Sequence, residues 1–206
     1  MELALAVRDV LLVPRCAGCG EPGSWFCVLC RDQCEPVAHE GGLAIRAAGA
    51  HVGPLRAAVR RLKYGGEAGL AQDLGALAAH ELACDLARGV TVDAVVPVPL
   101  HRSRAATRGY DQAFLLARAV AGRTGVPLRA ALHRIRGGRP QVELDRAARA
   151  ANIRGAFVAE ASSLRGLRVA LIDDVSTTGA TLMDAAAAAR AAGARAVRAY
   201  VVAVEE

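Results

Sequence analysis

The chain has 206 residues, 53% hydrophobic and only 3% aromatic, so it can bury a sizeable core in which aliphatic and alanine side chains do most of the filling. Its 26 lysines and arginines against 20 acids give a net charge of +6, which favours anionic partners without naming one. No apolar run approaches a membrane span, and Glu2, Arg8 and Asp9 interrupt the N-terminus, so neither membrane insertion nor a secretory leader is expected and the expected location is the cytoplasm.

In chain order, Leu3, Val7, Val10 and Leu11 fall on one helical face and predict a short amphipathic helix. "CAGCGEPGSWFCVLC" then sets Cys16-x-x-Cys19 seven residues ahead of Cys27-x-x-Cys30. Four thiolates so spaced fill a tetrahedral Zn²⁺ shell, and a closed shell means a structural metal. The alternatives are a disulfide pair or a redox C-x-x-C; they need an oxidising compartment or a thioredoxin-like unit, and neither is visible. Cys34 is a spare thiol that competes as a ligand, Cys84 is expected to be buried, and Trp25-Phe26 is expected to pack the ribbon against its neighbour. The composition turns aliphatic after Pro36. Residues 1–40 are therefore expected to form the helix and zinc-ribbon segment, and 41–206 the main domain.

Residues 43–53 predict a strand and turn. Pro54 opens a helix that Gly65-Gly66 closes, and residues 70–88 are helical by Ala/Leu content. "DAVVPVPL" (93–100) is a buried strand running into a loop, and the helix in "YDQAFLLARAVAGRTG" ends at Gly125. "LRAALHRIR" is a strand before the open "GGRPQ"; a helix over 144–153, then "AFVAE", "LRVALIDDV", a helix over 180–192 and the strand "ARAVRAYVVAV" complete the chain. Strand and helix alternating over this length predict a mostly parallel sheet with helices on both faces. Ligands of such sheets bind beyond the carboxyl ends of the strands, which places the loops Val98–Gly109 and Asp173–Thr181 on one rim.

"ALIDDVSTTGATL" is the most unusual stretch. A buried strand ends in two adjacent carboxylates and passes through small residues into a helix. Thr177, Thr178, Gly179, Ala180 and Thr181 would offer backbone amides, hydroxyls and a helix N-terminus to a phosphate. Asp173 and Asp174 stand where the hydroxyls of an attached sugar would reach them, so together the two features describe a ribose 5-phosphate. The plainer alternative is that Asp174 and the threonines only cap a helix.

This stretch, from Asp173 through Ser176 to Thr181, closely resembles the motif by which type I phosphoribosyltransferases bind 5-phosphoribosyl 1-diphosphate (PRPP). "PLRAAVRRLKYGG", "VVPVPLHRSRAATRGYDQA", "RPQVELDRAARAANIRGAF" and the paired C-x-x-C resemble the ComF family of competence-associated, phosphoribosyltransferase-like proteins. The resemblance implies a type I phosphoribosyltransferase-like parallel sheet with a small N-terminal four-cysteine zinc ribbon. It makes Asp173 and Asp174 the catalytic acids. Val98–Arg108 becomes the pyrophosphate loop, with Pro99, Leu100, Arg102, Arg104 and Arg108. "RIRGGRPQ" (134–141) becomes a hood, and Arg139, Gln141, Arg149 and Asn152 order it or read the acceptor. Between His101 and Arg154 twelve arginines face three acids, a balance that suits so anionic a ligand and equally a solvated or nucleic-acid-binding face. Mg²⁺ is expected to come with PRPP.

The chain departs from hypoxanthine-type relatives in having Thr177 where they carry a general-base acid, which argues against purine salvage of that kind. Asp111 stands where Asn is common, and Arg139 where Lys is frequent. Three functions follow: phosphoribosyl transfer to an acceptor the sequence does not identify, a PRPP or nucleotide sensor, or a DNA-uptake adaptor that binds single-stranded DNA or a protein of the competence machinery.

Overall fold

The computed structural model describes residues 13–135 and 155–205. The amphipathic helix expected at residues 3–11 and the helix expected over 144–153 lie outside them.

In chain order the helices are α1 (Val28–Arg31), α2 (Gly53–Tyr64), α3 (Leu70–Ala87), α4 (Arg102–Arg108), α5 (Gln112–Thr124) and α6 (Ala180–Ala191). The strands are β1 (Val37–His39), β2 (Ile45–Ala50), β3 (Ala94–Pro97), β4 (Leu132–Arg134), β5 (Phe157–Ala159), β6 (Arg168–Ser176) and β7 (Ala196–Val204). The main sheet has the order β1-β2-β7-β6-β3, parallel throughout except for the antiparallel edge strand β1.

The unbroken apolar run of β6 follows from burial on both faces. Ala170 and Ile172 share one buried cluster with Leu55, Val59, Leu62, Leu74 and Leu116 of α2, α3 and α5. Val169 and Leu171 meet Leu182, Ala185 and Ala189 of α6 on the other side. The expected α/β architecture, with a mostly parallel sheet covered on both faces, is therefore present. One expectation changes: "AFVAE" does not join the main sheet, and "LRAALHRIR" touches it only at its start, where Leu128 makes a parallel bridge to Val95 of β3. Their strands β4 and β5 pair antiparallel with each other as a separate ribbon. Asp184 of α6 anchors it, accepting from the amides of Gly155 (2.7 Å), Ala156 (2.8 Å) and Phe157 (3.3 Å).

The cysteine segment shares the core of the first face. Phe26 is fully buried among Leu62, Leu70 and Leu74 of α2 and α3. Its amide donates to Asp73 Oδ2 (3.0 Å), whose other oxygen accepts from Arg31 (2.5 Å). The Trp25 indole lies against Gly69, where any Cβ would come within 2.6 Å of the ring. Trp25-Phe26 thus does fasten the ribbon to its neighbour. Cys84 is half-buried, not enclosed, with its sulfur 3.6 Å from His80 Nε2. Among the described residues no helix is long and apolar enough to cross a membrane.

Candidate functional site

Because β2, β7, β6 and β3 run parallel, their carboxyl ends gather on one rim. The amide of Val98 donates to the carbonyl of Ile172 (2.9 Å), which joins the segment after β3 to the one that carries the acid pair.

β6 extends to Ser176, so Asp173 and Asp174 belong to the strand, and the pleat turns them to opposite faces. Asp174 is 4% exposed. Lys63 Nζ lies 2.7 Å from its Oδ1, and Gln112 Nε2 donates to its Oδ2 at 2.9 Å. Asp173 is half-buried and accepts the amide of Asp174 at 2.8 Å. Burial, and then the charge of Asp174, push its carboxyl up to about 8, against the opposing pull of that amide and of Lys63. The surroundings of Asp173 therefore favour its protonated form, while Asp174 is held from behind by two donors.

After Ser176 the chain exposes Thr177 and Thr178 and turns through Gly179, whose φ of 74° is the left-handed conformation glycine adopts without strain. Ala180 and Thr181 form the first turn of α6, where the helix predicted over 180–192 begins. A cavity of about 610 Å³ lies against Ser176, Thr177, Thr178 and Gly179, with His39, Ile45 and Val204 as its other walls.

The segment after β3 is not all loop. Residues 102–108 wind into α4 because His101 Nδ1 accepts from the amide of Ser103 (3.3 Å) and caps the turn, while Gly109 ends it in the left-handed region. Pro99 and Leu100 remain open and line a second cavity of about 580 Å³ with His101, Asp111, His133 and Arg134. Of Arg102 and Arg104 the structure describes only the backbone. Arg108 lies over the Tyr64 ring, 5.0 Å from its centroid. Asp111 is a cap: its carboxylate accepts from the amides of Leu100 and Phe114, both at 3.1 Å, so its charge is spent on backbone. Arg139, Gln141, Arg149 and Asn152, with most of the hood (134–141), lie outside the described residues.

Beside the start of α2, the sulfurs of Cys16, Cys19, Cys27 and Cys30 all lie within 4.8 Å of one another. Cys16–Cys30 and Cys19–Cys27 are 3.6 Å apart, close to the roughly 3.8 Å that four sulfurs on one tetrahedral metal would take. Burial pushes the Cys16 thiol up, but the amides of Cys27, Cys19 and Gly18 outweigh it and bring it down to about 6. Burial and the neighbouring thiols push Cys30 up, and a bound cation would displace its proton. The set fits a closed structural metal site. Cys34 stands outside it, its sulfur 3.6 Å from the Cys30 carbonyl oxygen.

A 95-residue stretch of the chain is 37% identical to Competence protein F of Haemophilus influenzae, covering 45% of this chain and 42% of that protein. The resemblance to the ComF family is borne out. The chain is thus matched to less than half the length of its ComF relative. No protein-family model matches it. Among solved structures, the allosteric regulatory enzyme of purine biosynthesis is similar at 26% identity, over 66% of this chain and 25% of that one, with a TM-score of 0.45. The glutamine PRPP amidotransferase of B. subtilis, complexed with ADP and GMP, is similar at 27% identity over 66% and 26%, again with a TM-score of 0.45.

Sequence reasoning missed Lys63, Gln112 and Asp184 as members of the rim. For Lys63 a signal existed, since it is the only lysine in a chain rich in arginine. Gln112 and Asp184 carried none, because their roles arise from helix ends that only the tertiary fold brings to β6 and β5.

Proposed function

We propose that the rim binds a phosphorylated ribose of the PRPP class and serves phosphoribosyl transfer to an acceptor. The observation that carries this reading is the adjacency, on one strand-to-helix turn, of a half-buried acid, exposed hydroxyls and the N-terminus of α6. Phosphate oxygens would accept from the first-turn amides at the positive end of the helix, with Thr177, Thr178 and Thr181 adding donors. Asp173 would meet the ribose hydroxyls, and Asp174 would support it. The diphosphate would lie toward Pro99, Leu100 and the arginines of α4, bringing Mg²⁺ that neutralises the leaving group. In transfer the bond from ribose C1 to pyrophosphate breaks as the bond to the acceptor forms, so the site's task is positioning and charge neutralisation. Thr177 offers no proton acceptor, so the acceptor must lose its proton readily, as an amine or an acidic ring nitrogen does. Zinc is the metal we assign to the four cysteines, in a structural role.

Calorimetric titration of PRPP with Mg²⁺ tests the reading. Wild type should bind, and Asp173→Asn should lose about tenfold in affinity, the scale of one lost hydrogen bond. Equal affinity in the two would remove Asp173 from the site. A second reading, an adaptor in DNA uptake, draws on the likeness to Competence protein F. Exposed Arg56 and Arg60 line an open groove of about 530 Å³ on α2 that such a partner would use. Absence of PRPP binding by folded wild type would bring this reading forward.

A further inference from the structure

Lys63 sits in the last turn of α2 with its side chain 19% exposed, 2.7 Å from Asp174 Oδ1. Its neighbours on both sides are tied to the segment after β3. The Tyr110 hydroxyl donates to the Leu62 carbonyl, and Arg108 covers the Tyr64 ring. The ammonium is therefore delivered to Asp174 by a fixed stretch of backbone. Gln112, only 2% exposed, holds the second carboxylate oxygen, and its own Oε1 is buried with no partner among the described residues. Both oxygens of Asp174 are engaged from the α2 and α5 side, away from the ligand, whereas Asp173 accepts from backbone.

We propose that Lys63 is the positioning residue of this site: by holding Asp174 inward, it leaves Asp173 as the single acid presented to the ribose hydroxyls. The proposal rests on the phosphoribose reading above. Two adjacent carboxylates repel each other, and the ion pair to Lys63 is made by Asp174. Asp173, faced by Asp174, Lys63 and Asp111, keeps its proton and can both donate to and accept from a sugar hydroxyl. Lys63 itself touches no part of the ligand.

The test titrates ribose 5-phosphate, 2-deoxyribose 5-phosphate and inorganic phosphate into wild type, Lys63→Met and Lys63→Met/Asp174→Asn. Wild type should prefer the ribose over the deoxyribose ligand by about tenfold, as expected for one hydrogen bond to an acid. Lys63→Met should lose that preference while its affinity for inorganic phosphate stays within about twofold. The double variant buries no unpaired charge, so it keeps the fold and should regain the preference. Preference retained in Lys63→Met would overturn the proposal. So would loss of inorganic phosphate together with ribose 5-phosphate, because Lys63 would then contact the phosphate. If Lys63→Met does not fold, the double variant decides: preference kept supports action through Asp174, and preference lost refutes it. A wild type that binds none of the three ligands would fail the phosphoribose reading itself, and the Lys63 proposal would fall with it.

Discussion

The cysteine cluster and the acid-pair rim both concentrate polar groups, and they do so in opposite senses. In the cluster four sulfurs face one another, and the amides of Cys27, Cys19 and Gly18 point inward at Cys16. At the rim, Thr177 and Thr178 face solvent and the first turn of α6 opens toward a cavity. A donor set that satisfies itself around one ion contributes folding energy. One left open toward a cavity is suited to a ligand that comes and goes. Removing metal should therefore damage the protein's stability, and removing an acid should damage only its binding.

The largest effect tests the closed half of this contrast. Stripping the metal with a chelator, or Cys16→Ser, should lower the melting temperature by at least about 10 °C, because Cys16 and Cys30 sit in the same core as α2 and α3. Metal analysis of the native protein should return zinc bound to these four thiols. An unchanged melting curve after chelation would mean the sulfurs hold no structural ion. A comparable effect should come from Phe26→Ala, at about 3–5 kcal/mol, since the ring is wholly buried where the cysteine segment meets α3. Urea unfolding measures it, and a cost below about 1 kcal/mol would show that the segment folds independently of its neighbour.

The same contrast explains what the sequence made legible. The cysteine spacing identified the cluster because metal chemistry fixes its ligands at short range along the chain. The apolar period and the Pro54, Gly65 and Gly125 boundaries placed α2, α5 and most strands for a similarly local reason. The rim was legible only where it is local, in Asp173–Thr181. Its support comes from α2, α5 and α6, whose ends meet β5 and β6 through non-local packing, so Lys63, Gln112 and Asp184 had no spacing to betray them. The pairing of β4 with β5 was hidden likewise, because a three-residue strand does not announce its partner. The winding of α4 was hidden too, because its cap, His101, is not among the residue types that ordinarily open a helix.

The open half of the contrast makes the smallest prediction and the most diagnostic one. Asp173 has its carboxyl raised to about 8 in the folded chain, against the ordinary aspartate value near 4 when unfolded. Between those values the folded state keeps a proton that the unfolded chain releases, so this group's contribution to stability falls as pH rises from about 4 to about 8. Asp173→Asn removes that loss. Because the side chain is only half-buried, solvent screens part of the effect, and the gain at pH 8 should be about 1 kcal/mol, or about 2–4 °C in melting temperature. At pH 4 the variant and wild type should melt together. A substitution that stabilises the free protein while weakening ribose recognition is the signature of a residue kept strained for its ligand. Equal melting temperatures at both pH values would instead mean that Asp173 is ionised and relaxed without a ligand, and the division of labour within the acid pair would have to be redrawn.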